Sequence, residues 1–153
     1  MTKIQKYKLK AIDTINNDVA NNAGLTPRAL KLGVAIDACA WTDGKTFVAI
    51  EKSYLDKCFS MGHTGMFNLY MTIIHEYCHE NVSLGDHIHG AEFDARFREI
   101  VEKTSLRVLE SSIVAFERYF RYRKKDGLDI PSNEYFRADV DISKRMRAAA
   151  IGE

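Results

Sequence analysis

Apolar positions recur along the chain with two different periods, and the change of period marks out its elements. Met66, Tyr70, Ile73, Tyr77 and Leu84 follow one another at spacings of three, four and seven, which predicts a helix from Thr64 to Leu84. Thr64 stands as its N-cap, and Gly85 followed by Asp86 as its stop. Ile4, Tyr7, Ala11 and Ile15 mark an earlier helix from Ile4 to about Val19, closed by Asn21-Asn22-Ala23-Gly24. Thr26, with Pro27 at the first helical position, opens a short helix through Leu32 that stops at Gly33. Val34 to Trp41 and Lys45 to Ile50 read as two strands joined across Thr42-Asp43-Gly44. Glu51 to Phe59 connects this hairpin to the next helix, as a short strand or a helical turn around Ser53-Tyr54-Leu55. Beyond residue 90 a long helical pattern runs through Phe93, Phe97, Ile100, Leu106, Leu109, Ile113, Phe116 and Phe120, with a break near Thr104-Ser105.

These elements predict an α+β fold in which a small antiparallel sheet packs on one central helix, with further long helices around it. Residues 1–127 form one domain. Residues 128–153 form a polar tail in which Ser143 to Ala148 is a candidate terminal helix.

The polar side of the central helix carries the chemistry. Opposite the apolar stripe lie Asn68, Thr72, His75 and His79, and the run His75-Glu76-Tyr77-Cys78-His79 is an H-E-x-x-H pentapeptide. On a helix, histidines at i and i+4 project from one face, close enough to share a metal ion. Glu76, about 100° further round, sits beside the metal, where a carboxylate takes a proton from bound water. Catalytic zinc takes three protein ligands and keeps a fourth position open. His87, His89 and Glu92 follow just past the predicted helix end, and on geometry alone His87 serves nearly as well as His89. Glu99 and Glu102 are more distant carboxylate candidates, and Glu92 serves more simply as a cap for the helix that starts near it. Cys78 adjoins His79 and reads as a small buried hydrophobe.

The pair of elements His75-Glu76-Tyr77-Cys78-His79 and His89-Gly90-Ala91-Glu92-Phe93 resembles the active site of SprT-like zinc metalloproteases. The resemblance covers about Thr64 to Phe97 and implies a zincin-like fold. It also implies one zinc ion per chain on His75, His79 and His89, with Glu76 as the catalytic base. A zinc metalloendopeptidase of this kind polarises the scissile carbonyl of a protein or peptide substrate and activates a zinc-bound water whose proton Glu76 accepts. An edge strand of the sheet holds the substrate as an added strand. The donor that would share the oxyanion stays open among Tyr54, Tyr70, Tyr77 and His87. A catalytically inactive zinc-binding module is the alternative, favoured if His87 joins His89 in a closed four-ligand site. A chance H-E-x-x-H on a helical binding protein is the third reading.

The family's frequent action on proteins crosslinked to DNA implies DNA as a partner, although the chain has no C-x-x-C for the cysteine-based ribbon that many members carry. With 22 basic and 21 acidic residues the formal charge is +1, so no global field draws the protein to a polyanion. A local cluster of Arg118, Arg121, Arg123, Lys124 and Lys125, with Tyr119 and Tyr122 interleaved, is the candidate nucleic-acid contact. Its simpler reading is a solvated helix end whose cations complement the helix dipole. No apolar run approaches the about 20 residues that a membrane span requires, and the stretch from Met1 to Lys6 lacks an apolar secretion segment. Cys39, Cys58 and Cys78, odd in number and widely spaced, fit free thiols in a reducing compartment. A cytoplasmic or otherwise intracellular protein is therefore expected.

Overall fold

A computed structural model of the chain describes residues 1–84, 89–131, 144–145 and 148–149. Among them six helices and three strands follow in the order α1 (Lys3–Ala11), α2 (Asp13–Asn22), β1 (Ala29–Gly33), β2 (Ala40–Thr42), β3 (Phe47–Glu51), α3 (Lys52–Ser60), α4 (Gly62–Cys78), α5 (Ala91–Thr104) and α6 (Val108–Lys125). The class is α+β. No helix among the described residues is long and apolar enough to cross a membrane. The predicted boundary at Gly127 falls just after α6. Most of the predicted tail lies outside the described residues, although Lys144, Arg145 and Ala148, from the stretch read as a terminal helix, are helical.

The helix predicted from Ile4 to Val19 is two helices. Ile12, at φ −80° and ψ 0°, closes α1 and opens α2, and Ala11, Ile12 and Ile15 are all buried in the core. Thr2 starts α1 with a capping box, its hydroxyl accepting from the Gln5 N–H while the Gln5 side chain accepts from its own.

The short helix predicted from Thr26 to Leu32 is a strand. Residues 29–33 pair in parallel with β3, Ala29 opposite Phe47 through Gly33 opposite Glu51. Leu30 and Leu32 turn toward the core while Ala29 and Lys31 face solvent, an alternation of period two. A helix this short is marginal in water, and the ladder to β3 satisfies the same backbone groups outright.

The hairpin forms as predicted, β2 running antiparallel to β3 with Trp41 opposite Ala49. Its first strand is much shorter than expected, and the sheet is mixed, not antiparallel, in the order β1-β3-β2. Both differences have one cause. β1 and β2 flank β3, so residues 34–39 must carry the chain from one edge of the sheet to the other and cannot pair on the way. Val34 and Ile36 are accordingly 72% and 97% exposed. At the turn, the Asp43 carboxylate accepts from the N–H groups of Lys45, Thr46 and Phe47 at 3.0, 2.7 and 3.2 Å and from the Thr46 hydroxyl.

The segment after the hairpin is helical. Glu51 caps α3, its side chain accepting from the Tyr54 N–H at 2.7 Å. The central helix then begins at Gly62, with Thr64 inside it instead of capping it. α3 and α4 meet closely at Gly65, where an added Cβ would lie 1.7 Å from the Cys58 carbonyl oxygen. Met66, Leu69, Tyr70, Ile73, Ile74 and Tyr77 of α4 are fully buried among α2, α3 and α6, so this helix is the spine of the core. Its end differs most from expectation. α4 stops at Cys78, six residues before Leu84, which is exposed in the following loop, and the predicted stop at Gly85 and Asp86 lies outside the described residues. The later break falls at residues 105–107, where Leu106 is exposed instead of joining the stripe.

Candidate metal centre

α4 ends inside the pentapeptide, so His75 and Glu76 are helical while His79 is the C-cap. His79 keeps a near-helical φ of −79°, which leaves its Cβ where a helix would place it, and its ψ of 132° turns only the following chain away. The i, i+4 relation to His75 therefore survives the early stop. The two Nε2 atoms stand 3.2 Å apart. Two imidazole nitrogens bound to one tetrahedral zinc at about 2.0–2.1 Å each are held about 3.3 Å apart, so this pair has the bite of a shared ion.

The third predicted ligand joins them. His75, His79 and His89 each offer a ring nitrogen, and these atoms lie within 4.8 Å of one another. Neither Glu99 nor Glu102 belongs to the group, and His87 lies outside the described residues. His89 enters just before Gly90, the N-cap of α5, and its ring stacks on Phe93 with centroids 3.9 Å apart and planes at 9°. Phe93 also lies 5.0 Å from the His75 ring and 4.9 Å from the His79 ring, so one aromatic ring neighbours all three imidazoles. From sequence Phe93 reads as ordinary core; the signal that could have found it is its i, i+4 relation to His89 across a helix start. Glu92, in the first turn of α5, complements the positive end of that helix dipole.

Glu76 is 4% exposed, and its Oε2 accepts a hydrogen bond from the Ser83 hydroxyl at 2.7 Å. Ser83 is itself tied to the sheet. Its Oγ accepts from the Thr42 N–H at 2.8 Å, and its N–H donates to the Thr42 carbonyl at 3.0 Å. The hairpin tip leans on the same loop: at Gly44, with φ 82°, an added Cβ would stand 2.3 Å from the carbonyl carbon of Glu80.

His75 and Glu76 line one open cleft of about 390 Å³ with Cys39, Ala40, Met71, Thr72 and Phe97. The Cys39 carbonyl accepts from the Glu51 N–H, toward β3, whereas both backbone groups of Thr42 turn outward to Ser83. By the alternation of an antiparallel strand, Ala40 turns its N–H and C=O outward as well, on the side of β2 away from β3. Of the hydroxyls considered as oxyanion donors, Tyr70 and Tyr77 point into the core, toward Asp18 and Ser111 and toward Asn16 and Arg28 respectively. Tyr54 comes nearest the cleft, its hydroxyl 2.8 Å from that of Thr72, and burial raises its pKa. Cys78 is buried, and burial pushes its thiol up to about 11, as suits a packing residue.

Two arginines that sequence reading passed over hold the helix exit. Arg28, 6% exposed and just ahead of β1, donates from Nη1 to the Glu76 carbonyl at 2.7 Å and from Nη2 to the His79 carbonyl at 3.2 Å. Arg96 of α5 donates to the Cys78 carbonyl at 3.2 Å. No local motif announces either contact, because both join residues distant in sequence.

The basic cluster is placed elsewhere. Arg118, Arg121, Arg123, Lys124 and Lys125 end α6, whose last turn packs on α1: Tyr122 stacks on Tyr7 at 5.4 Å, and Lys3 pairs with Asp126 at 2.7 Å. Tyr119 is buried against Phe59, and Arg123 lies over its ring and donates to its hydroxyl at 3.1 Å. The tyrosines interleaved with the cations are engaged in packing, and the cations themselves stand at a helix C-terminus. Arg123, Lys124 and Lys125 lie in the last turn, where cations complement the helix dipole.

Comparison with known proteins finds no match to a family model, to a curated protein or to a solved structure.

Proposed function

We propose that this chain is a zinc-dependent metallopeptidase of SprT-like type and zincin-like plan, acting on protein or peptide substrates inside the cell. The carrying observation is the convergence of the ring nitrogens of His75, His79 and His89 within 4.8 Å of one another, with Glu76 lining the same cleft as His75. Three imidazoles suit the donor set of a catalytic zinc site, which keeps a fourth position for water. Zinc held there supplies positive charge that acidifies water and polarises a carbonyl.

The chain's own groups do the rest. Glu76 takes the proton of the attacking water on its carboxylate and delivers it to the departing amine. Ser83 holds Oε2, so the carboxylate keeps one orientation through both transfers. Ala40 offers an outward N–H and C=O to a substrate segment laid along β2, which would align the scissile bond over His75 and Glu76. Phe93 keeps water away from the back of the imidazoles. The free thiols of Cys39, Cys58 and Cys78 suit a reducing compartment.

The test is metal analysis joined to a cleavage assay. Wild type should carry one zinc per chain, His79→Ala and His89→Ala should lose it, and Glu76→Gln should keep it while cleavage falls at least about 100-fold. A wild type that takes up no zinc, or a fully loaded His89→Ala, overturns the assignment. Zinc retained by a wild type that cuts no peptide, with or without single-stranded DNA, points instead to the inactive module.

A further inference from the structure

The last four residues of a helix have carbonyls without intrahelical partners, and many helices settle them with a glycine in the left-handed region just past the end. α4 has no such glycine, since His79 is its cap and Glu80 and Asn81 follow. Yet the helix must stop here, with the His79 carbonyl turned out of the helical path while its ring stays in register with His75. The guanidinium of Arg28 spans this corner. One prong takes the Glu76 carbonyl, which the His79 N–H also reaches at 3.3 Å, and the other takes the His79 carbonyl. A two-pronged planar donor fixes both the separation and the angle of the two carbonyls.

Arg28 is in turn fixed on every side. Its N–H donates to the Tyr77 hydroxyl at 2.7 Å and its carbonyl accepts from the Asn16 side-chain amide at 2.9 Å. The Tyr77 hydroxyl donates to Asn16 Oδ1 at 3.0 Å, closing a ring through α2, α4 and the start of β1. The guanidinium carbon lies 4.6 Å from the centroid of the Tyr77 ring, and Nη1 also reaches Thr42 Oγ1 at 3.3 Å. Buried polar networks in which every member is satisfied specify a single arrangement. This one encloses Tyr77, the third residue of the pentapeptide.

We infer that Arg28 is a positioning residue of the metal centre: by clamping the Glu76 and His79 carbonyls it ends α4 at Cys78 and sets the angle at which His79 faces His75. The inference rests on the metal reading of His75, His79 and His89 and adds to it a residue that touches neither metal nor substrate. An arginine that served stability alone would lower the melting temperature when replaced and leave the metal affinity of the folded protein unchanged.

The experiment uses the full chain, stripped of metal, with far-ultraviolet circular dichroism matching the wild type. Zinc affinity is read by competition with a chromophoric chelator, and ligand geometry by the visible band of the cobalt-loaded protein. Arg28→Ala and Arg28→Lys are expected to weaken zinc binding at least about tenfold and to shift the cobalt band. Arg28→Lys keeps a cation on an apolar stem and loses the planar fork, so it decides the matter if Arg28→Ala does not fold. Wild-type affinity and an unshifted band in folded Arg28→Lys overturn the positioning role and leave the metal centre standing. A wild type that takes no zinc overturns both.

Discussion

The two ends of α4 are held by different physics. At the N-terminal end, Gly65 lies against the Cys58 carbonyl and Met66 and Leu69 are buried without a polar atom to place, beside Phe59, which packs edge-on to Phe116 and Tyr119 at 5.6 and 4.8 Å. At the C-terminal end, Tyr77, Asn16, Arg28, Thr42, Ser83, Arg96 and Glu76 are joined by hydrogen bonds at 2.7 to 3.3 Å. Dispersion and burial carry no direction and tolerate small rotations. Hydrogen bonds prescribe angles. The N-terminal end is apolar, and the end that carries His75, Glu76 and His79 is polar.

The sharpest way to break the contrast is to injure the apolar end alone. Gly65→Ala forces a Cβ into a backbone carbonyl, and Leu69→Ala empties a fully buried site; each should cost about 3 kcal/mol in chemical denaturation. Zinc affinity of the molecules that remain folded should not change, and a parallel loss of affinity would show that the two ends are one unit.

Tyr77→Phe is the counterpart at the polar end. It strips the Arg28 N–H of its acceptor and Asn16 Oδ1 of a donor, for about 2 kcal/mol of stability. Unlike the apolar substitutions, it should also weaken zinc binding, measured by chelator competition.

Acid sharpens the comparison further. The Thr46 hydroxyl, together with the N–H groups of Lys45, Thr46 and Phe47, holds the Asp43 carboxyl well below its ordinary value. A depressed carboxyl contributes stability that is complete above about pH 4 and is lost as the pH falls through the lower folded value. Wild type should therefore lose denaturant resistance below about pH 4 more steeply than Asp43→Asn, and equal slopes would remove Asp43 as the cause.

The smallest effect belongs to the end of α6. Lys124→Ala and Lys125→Ala should each change stability by less than about 0.5 kcal/mol and leave zinc content alone, because both are exposed on the helix that meets α1. A change in metal content would connect a region that the structure keeps apart from the histidines.

The same contrast explains what the sequence could reveal. The apolar stripe Met66, Tyr70, Ile73 and Tyr77 is legible because burial leaves a period, and the hairpin is legible because Asp43-Gly44 carries its own turn chemistry. The pairing of His75 with His79 follows from helical spacing, His89 was added by the resemblance of His89-Gly90-Ala91-Glu92-Phe93 to a known element, and the structure brings the three together. The strand at Ala29–Gly33 was hidden behind Pro27, because a local start signal cannot see the partner that Phe47–Glu51 provides 18 residues later. The stop of α4 at Cys78 was equally hidden, because its caps are side chains from residues 28 and 96. Burial is written in periodicity, whereas the direction of a hydrogen bond across the fold is not written locally at all.

Gly44 shows how fine the tolerance is. The hairpin and the exit of α4 touch backbone to backbone there, with no room for a methyl group at Glu80. The tip of the sheet is in effect a mechanical stop against which the residues just after His79 are seated. A longer turn, or alanine in place of Gly44, would push that seat outward and open the 3.2 Å gap between two imidazoles by way of a loop that meets neither ring. Variation at the turn, residues 43–46, is therefore constrained by a cleft that those residues do not line.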